Sequence, residues 1–373
     1  INMRIRHIRN IFAVSLITST FFLTGCSIQE RRGIREAVKE ELGYLEHPDT
    51  QTIEQYLQEA DLFPDTETSK TSNPTVDPAI TEIFTEFYKN FSYKVSDIEY
   101  DDTKATAVIT ITNLDTKALA KDYSIAALQK HIEEDANPAQ VNFSLYDSYL
   151  LLGEILKTHE YDLTDSSLAV EFKKENDIWE MIPDDRLENE LTGNFLTYMA
   201  DSSFLSPEDV VKIHFDTIKE FDSEQLNIYL SLDSMLDLDD TYSSSVTHAI
   251  AQQIHQFFDY EIKGTKIGKT NATVTVSITS ADFISIIDTY HKKLEEWMQT
   301  SEALEAGMFG RREKEREVLL ESIKNNQATT SKEVKINLIN DGTNWKIQMD
   351  NKIAEAILGG INEAVLTTDD NEE

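Results

Sequence analysis

Two short stretches of the chain contain residue types that could do chemistry, and the first runs from Gly264 to Thr270 as GTKIGKT. A phosphate-binding loop uses glycine amides and a lysine in this way, but it needs four residues between the first glycine and Gly-Lys-Thr, and then a helix. Only three residues separate Gly264 from Gly268. Residues 271–279 alternate between apolar and hydroxyl side chains, which is the period of a strand. The stretch is therefore predicted to be a hairpin turn, with a β-bulge at Gly264.

The second stretch surrounds Cys26, the single cysteine of the chain. One cysteine excludes an intramolecular disulfide and a cysteine-based zinc site. Residues 3–10 carry three arginines and no acid, residues 11–23 are an apolar run, and Leu-Thr-Gly-Cys follows at 23–26. The apolar run is shorter than the roughly 20 residues that a membrane-spanning helix requires. The order of these parts predicts a secretory signal over residues 1–25.

Leu23-Thr24-Gly25-Cys26 resembles the lipobox of bacterial lipoproteins. The resemblance implies cleavage before Cys26 and a diacylglyceryl group on its thiol, so that residues 26–33 form a short lipidated tether. The alternative is an ordinary signal with a chance cysteine after it. Lipidation makes the membrane a partner through Cys26 and places the protein outside the cytoplasm.

The charge of the chain limits its partners. Its 373 residues contain 68 acidic and 34 basic side chains. Three of the basic side chains are arginines within residues 1–25, so removal of that segment would make the chain still more acidic. A surface this negative repels phosphate backbones, which excludes nucleic acid as a partner. It also repels anionic headgroups, so attachment to a membrane is expected to be covalent or apolar.

Other motifs of catalysis or metal binding are weak, and no catalytic, cofactor-binding or metal-binding residue is predicted. His159-Glu160 lacks the second histidine of a zinc protease helix, and His248 and His255 have no acid in the turn between them. The acidic residues 233–240 lack the glycine of a calcium loop and are interpreted as a solvated linker. Trp179 and Trp345 could line an aromatic pocket, but core positions are favoured.

The chain contains an internal repeat. Residues 91–115 align without a gap on residues 258–282, at an offset of 167, and Phe91 thereby matches Phe258. Residues 36–57 match residues 209–230 with the same apolar helical stripe. Residues 168–181 match residues 334–347 as alternating strands, and Trp179 pairs with Trp345. Three collinear blocks favour a duplication over chance similarity.

The fold class predicted from these blocks is α+β, with two tandem duplicated domains at residues 34–199 and 206–366. Each domain is expected to contain N-terminal helices, a small antiparallel sheet of two β-hairpins, an inserted helical hairpin and a closing helix. Residues 200–205 are the linker, and residues 367–373 are predicted to be an acidic disordered tail. The inserted helices are predicted at about 117–134 and 141–156, and at about 283–306 and 311–326.

The turn of the second inserted hairpin, Gly307-Met308-Phe309-Gly310, is a candidate partner contact. The first copy has polar residues at this place, so the fold does not require Met308 and Phe309 to be apolar. Arg311 and Arg312 follow directly. The tip is therefore a candidate for entering a partner groove or touching anionic lipid; the favoured alternative is a hydrophobic cap, in which both side chains fold back onto their own helices.

The lipobox, the duplication and the order of elements together resemble surface lipoproteins of Gram-positive, clostridial-type bacteria. That resemblance implies tandem cystatin-like or nuclear-transport-factor-2-like domains of unknown function. It favours a lipid-anchored binding or scaffolding protein of the cell envelope, without catalysis or cofactor, whose ligand or envelope protein partner is not identified. One alternative is an enzyme with a conical, ketosteroid isomerase-like pocket, which needs a carboxylate on an apolar strand face. The other is a transporter-associated solute-binding lipoprotein, although predicted hairpins argue against its usual parallel sheet.

Overall fold

The computed structural model describes residues 26–48, 78–137, 143–232 and 241–361, and the side chains of residues 26, 27 and 241–243 are not among what it describes. The described part is α+β, with two four-stranded antiparallel sheets. Contacts divide the described residues into two units. The first contains residues up to Tyr123 and Ser144–Ala200, and the second contains Ser124–Phe143 and the residues from Asp201 onward.

The first unit begins with a long helix and ends with two short ones. A 3-10 turn over Gly43–Glu46 follows the first helix. The elements are α1 Cys26–Leu42, α2 Pro78–Phe87, β1 Ser92–Tyr100, β2 Lys104–Leu114, α3 Thr116–Asp135, α4 Leu145–Thr158, β3 Leu163–Glu175, β4 Ile178–Ile182, α5 Asp185–Leu191 and α6 Phe195–Met199.

The elements of the second unit follow the same order of helices and hairpins, with three described helices before the first strand, three in the insertion and one at the end, where the described part of the first unit has two in each place. These are α7 Pro207–Glu220, α8 Ser223–Leu230, α9 Thr241–Phe257, β5 Asp259–Ile267, β6 Asn271–Ala281, α10 Phe283–Met298, α11 Ser301–Glu305, α12 Gly307–Lys324, β7 Thr329–Asn340, β8 Trp345–Gln348 and α13 Asn351–Ile357. In the described residues no helix is both long and apolar enough to cross a bilayer.

The two sheets share strand order and register. Each is built from two hairpins in the order β1-β2-β3-β4 or β5-β6-β7-β8. Tyr93 pairs with Ile111 as Tyr260 pairs with Ile278, and both positions are 167 residues apart. Each first hairpin contains one register shift, between Ser96 and Glu99 or between Ile262 and Gly264. The β-bulge predicted at Gly264 is therefore confirmed.

The inner face of each sheet is apolar, as the alternation predicts. The buried residues of β2 and β6 correspond position by position, and only the last of each set is polar: Ala105, Ala107, Ile109, Ile111 and Asn113 in β2, and Ala272, Val274, Val276, Ile278 and Ser280 in β6. Asn113 donates to the carbonyl of Glu190, and Ser280 donates to the carbonyl of Ile357. Each sheet is thus tied by one buried hydrogen bond to the end of its closing helix.

A glycine stops each closing helix and approaches another element closely. Gly193 and Gly359 have φ of 56° and 60°, a conformation that favours glycine. A Cβ at Gly359 would lie 1.7 Å from the carbonyl oxygen of Ala281, and one at Gly193 would lie 2.7 Å from the side chain of Thr116. Leu187, Leu191 and Phe195 at i, i+4 and i+8 predict a single closing helix in the first unit. That helix is interrupted at Gly193, because only glycine fits beside Thr116 at the start of α3.

Helix caps explain where several helices begin. Ser206 and Asp209 form a reciprocal capping box at the start of α7, with Pro207 in its first turn, as the sequence predicts. Asp222 caps α8, also as predicted. The matching cap predicted at Asp49, and the helix with Tyr56 and Leu57, lie outside the described residues.

The inserted helices differ from prediction at their turns. The helix α4 begins at Leu145 rather than near residue 141, because Ser144 and Asp147 form a capping box there. The second half of α3 belongs to the second unit, where Ile132 and Ala136 are part of the hydrophobic core. The predicted first domain, residues 34–199, includes this segment, because apolar periodicity alone does not reveal which hydrophobic core a helical segment joins.

Candidate functional site

The candidate site is the turn of the inserted helices in the second unit. The helix α10 ends at Met298, α11 spans Ser301–Glu305 with Thr300 as its cap, and α12 begins at Gly307. Gly307 has φ of 60°, and the amide of Gly310 already donates to the carbonyl of Ala306. The predicted break at residues 307–310 is therefore wrong in position: the break lies at residues 299–306, and Met308 and Phe309 lie in the first turn of α12.

The tip carries a cluster of exposed apolar side chains. Met308 is 84% exposed and Phe309 is 78% exposed. Leu304 on α11 is 80% exposed and Met298 at the end of α10 is 45% exposed. We call these four residues the apolar tip. Its side chains point into solvent instead of folding back onto their own helices, and contiguous exposed apolar surface of this kind typically marks a contact site.

Unpaired positive charge follows the apolar tip. Arg311 and Arg312 make no hydrogen bond or ion pair with any residue that the structure describes. Lys314, in the next turn, pairs with Glu317 at 3.0 Å. Glu302 and Glu305 on α11 are the acids of the tip. The site therefore combines apolar side chains with two free guanidinium groups, and it lacks the convergent polar groups that chemistry on a substrate needs.

Trp297 lies directly before the apolar tip and is buried, with 8% of its surface exposed. Its indole N–H finds no acceptor among the described residues. A buried hydrogen-bond donor without an acceptor lowers the free energy of unfolding by about 1–3 kcal/mol. The sequence patterns considered above did not indicate Trp297, Met298 or Leu304 as site residues. Met298 was predictable as an exposed residue, because successive residues of a helix are rotated by about 100° about its axis. A residue that follows the buried Trp297 therefore lies outside the buried face of α10.

Cys26, the predicted lipidation site, is the first residue of α1. Residues 26–33, predicted to be a tether, are therefore the first turns of this helix. Glu30 accepts a hydrogen bond from Nε1 of Trp179 at 2.6 Å and from Nζ of Lys174 at 2.8 Å. A Cβ at Gly33 would lie 2.9 Å from Trp179. The folded body thus begins about one helical turn after Cys26.

A polar cleft of about 620 Å³ lies elsewhere in the second unit, along α7 and the start of α8. Asp216 lines this cleft. Its carboxylate accepts a hydrogen bond of 2.7 Å from the hydroxyl of Tyr260 and forms an ion pair with Lys212. Burial raises the pKa of Tyr260, and the bond to Asp216 raises it further. The aligned residues of the first unit are Gly43 and Tyr93, so this pair exists in one unit only.

A tyrosine beside a carboxylate is half of what the isomerase alternative requires. That alternative needs the carboxylate on an apolar strand face, whereas Asp216 lies on a helix and its side chain is 42% exposed. The described inner-face positions of β2 and β6 are apolar apart from Asn113 and Ser280. The pair therefore resembles a helix-to-strand tie more than an acid–base centre.

Other sequence-predicted features have these places in the structure. GTKIGKT is the end of β5 followed by the hairpin turn at residues 268–270, and the predicted turn is confirmed; the amide of Gly268 donates to the carbonyl of Asn271 there. Both Trp179 and Trp345 are buried, each 5% exposed, which confirms core positions. No group of three or more metal-binding side chains occurs among the described residues, and residues 233–240 lie outside them.

Comparisons with known proteins give one remote similarity. No family model matches the chain, and no curated protein matches it. Among solved structures, the chain is similar to the crystal structure of a protein from Bacillus subtilis strain 168, provisionally described as a lipoprotein (ycdA), with 13% sequence identity over 72% of this chain and 94% of that one. The TM-score is 0.28, which is below the level at which two chains share a fold.

Proposed function

We propose that this chain is a lipid-anchored extracytoplasmic protein of a Gram-positive cell envelope, and that it binds or scaffolds without catalysing a reaction. The observation that carries the proposal is Leu23-Thr24-Gly25-Cys26 after a basic segment and a 13-residue apolar run, Ile11–Leu23. A diacyl group at Cys26 gives stable attachment, whereas one acyl chain gives only marginal binding.

The start of the folded body supports an anchor at this position. Because Glu30 and Gly33 already contact Trp179, only residues 26–29 separate a lipid on Cys26 from the packed part of α1. A short separation holds the first unit close to the membrane surface. The anchor would therefore fix the protein to one side of the membrane and leave the remaining surface for contacts with other envelope components.

The anchor is tested by expressing the chain in a Gram-positive host with an alkyne-tagged fatty acid. We expect label and membrane fractionation for the unmodified chain, and loss of both for Cys26→Ser. Ser27→Ala is the matched control and should be labelled and fractionated normally. Mass spectrometry should find a modified Cys26 at the N-terminus. A Cys26→Ser protein that stays in the membrane with the same processed N-terminus would overturn the proposal.

The binding role rests on the apolar tip. Its four apolar side chains are exposed, although the fold does not require apolar residues at these positions. The test compares Met308→Ser/Phe309→Ser with the unmodified chain in chemical crosslinking on intact cells. We expect the double variant to lose its crosslinked envelope components and to keep its melting temperature. Unchanged crosslinks, or a large loss of stability, would contradict a contact at Met308 and Phe309.

We further propose that the two units arose by duplication and share a cystatin-like or nuclear-transport-factor-2-like shape. The common sheet register and the matched glycines Gly193 and Gly359 support it. An experimental structure should superpose the β1-β4 sheet on the β5-β8 sheet with Trp179 on Trp345. A different strand order in either sheet would contradict a duplication.

A further inference from the structure

We propose that the apolar tip inserts shallowly into the lipid bilayer that carries the Cys26 anchor, as a second attachment of the protein to the membrane. This inference rests on the proposed function, because the anchor is what brings a bilayer near the chain. It names phospholipid as the occupant of the surface formed by Met298, Leu304, Met308 and Phe309.

The composition of the tip favours lipid. Leucine, methionine and phenylalanine bury favourably in acyl chains, and all four side chains lie between residues 298 and 309 on adjoining helical turns. Each carries no group that would need a hydrogen bond inside a bilayer. A protein groove that fits three adjoining helix segments would also have to accommodate Glu302 and Glu305, which stand beside Leu304.

The charges around the tip set the depth of insertion. Arg311 and Arg312 are free of ion pairs with the described residues and can reach lipid phosphates, while the charges of Glu302 and Glu305 are stable only at the water boundary. The net charge of −34 would repel an anionic surface. Charges further away than about 8 Å are largely screened at physiological ionic strength, so the groups near the tip dominate.

A second, weak contact is sufficient for this role. Once the chain is held by lipid at Cys26, binding of the tip becomes an intramolecular event with a high effective concentration of bilayer. Four exposed apolar side chains therefore need only a weak affinity of their own for vesicles, which cosedimentation at high lipid concentration measures. Their expected effect is to hold the second unit at the membrane surface.

The experiment uses the chain from residue 26 with Cys26→Ser, so that neither the lipid nor the apolar run of residues 11–23 contributes. Phe309→Trp is introduced as a probe. The three native tryptophans, Trp179, Trp297 and Trp345, are 5%, 8% and 5% exposed, and the chain without Phe309→Trp measures their contribution to the emission. We expect a blue shift of emission on adding phosphatidylcholine–phosphatidylglycerol vesicles, and quenching by lipids brominated near the headgroup more than by lipids brominated near the chain end.

Cosedimentation with the same vesicles measures the contributions of single groups. Met308→Ser/Phe309→Ser should weaken binding by at least about tenfold. Arg311→Gln/Arg312→Gln should weaken it about tenfold on anionic vesicles and little on neutral ones. Ile267→Ser is the matched control, because Ile267 is 62% exposed in the same unit but lies in the β5-β6 hairpin; it should bind like the parent.

Three results would overturn the inference. The first is no binding to vesicles, and the second is vesicle binding that the Met308→Ser/Phe309→Ser variant retains. The third is self-association of the chain that this variant abolishes, in the absence of vesicle binding, which would assign the tip to a contact with a second copy. Because these chains carry no lipid, such a failure leaves the anchor untouched. Failure of fatty-acid labelling at Cys26 with intact vesicle binding would instead remove the anchor and keep the tip.

Discussion

The indole Nε1 of Trp179 donates a hydrogen bond of 2.6 Å to a carboxylate oxygen of Glu30, which ties the first turns of α1 to β4. Lys174 completes the cluster with a 2.8 Å ion pair to Glu30, and the side chains of both charged residues are at most 23% exposed. Hydrogen bonds from Lys174 and Trp179 hold the pKa of Glu30 below its ordinary value, the bond from Lys174 being the largest cause. The segment nearest to Cys26 is thus fixed by charge as well as by packing.

We expect Glu30→Ala to lower the free energy of unfolding by about 2 kcal/mol, because Lys174 and the Trp179 indole lose their partner where water has little access. The control is Arg32→Ala, which removes an exposed pair with Glu36 on the same helix and should change stability by less than about 0.5 kcal/mol. Urea denaturation measures both. Equal effects of the two substitutions would show that the cluster adds no more than a surface pair.

The buried tryptophans give the second prediction. Trp179→Ala and Trp345→Ala should each destabilise the protein by about 3–5 kcal/mol, through lost transfer free energy and the cavity left behind. Trp345→Phe should have a clearly smaller effect, since it keeps an aromatic ring in the core. Differential scanning calorimetry on the three variants checks the order. A Trp345→Ala protein that melts like the parent would contradict a core position.

The neighbours of these tryptophans show what sequence patterns predict and what they do not. Alternation predicts that Trp179 and Trp345 face inward, and the closing helix that follows each second hairpin is the helix expected to cover them. In the structure β4 packs against the opening helix α1, and β8 packs against the opening helix α7. Which helix covers a strand depends on how the chain connects the elements and on where a helix can approach a strand closely, as at Gly33 beside Trp179. The periodicity of the sequence predicts neither.

The same limit applies to the tip and to the closing helices. The hairpin registers follow from period-two alternation and a turn at Gly268, so they are predictable from sequence. Exposure of Phe309 opposes the usual tendency of aromatic residues to be buried, so periodicity does not indicate it; comparison with the polar residues of the first copy does. The left-handed conformation of Gly359 is required by its contact with Ala281, which is 78 residues earlier in the chain.

His214 gives the third prediction, a loss of stability in mild acid. Its ring nitrogen Nε2 is hydrogen-bonded to the hydroxyl of Tyr229, next to Phe215 and Phe221, and burial lowers the pKa of His214 to about 4. The unfolded chain has a histidine pKa of about 6.5. The unfolded state therefore takes up a proton first, and stability falls as the pH drops from about 6.5 to about 4, by about 3 kcal/mol in total.

The measurement is urea denaturation of the parent and of His214→Gln at pH 7.0 and pH 4.5. Carboxylates titrate in both proteins at the lower pH, so the difference between their two pH effects isolates His214. We expect the variant to be less stable at pH 7.0 but to lose less stability on acidification. His255→Gln, on α9, serves as the control and should follow the parent. Identical pH effects in parent and His214→Gln would contradict a neutral, half-buried His214.

The fourth prediction concerns the hydrogen bond between Asp216 and Tyr260 and its introduction at the aligned positions of the first unit. Tyr260→Phe should lower stability by about 1–2 kcal/mol because it removes a hydrogen bond to a carboxylate, whereas Tyr93→Phe should be nearly neutral. At Gly43, which aligns with Asp216, a Cβ would lie 3.4 Å from Lys39 and 3.8 Å from the hydroxyl of Tyr93. There is therefore room for a side chain that repeats the geometry of the second unit.

We expect Gly43→Asp to stabilise the protein by up to about 1 kcal/mol, through a new bond to Tyr93 and through the reduced freedom of the unfolded chain. Adding Tyr93→Phe separates the two causes, because only the bond depends on the hydroxyl. A coupling energy of about 1 kcal/mol in this double-mutant cycle would show that the aligned positions occupy equivalent places. Additive effects would show that they do not, and would weaken the proposed duplication at its helical block.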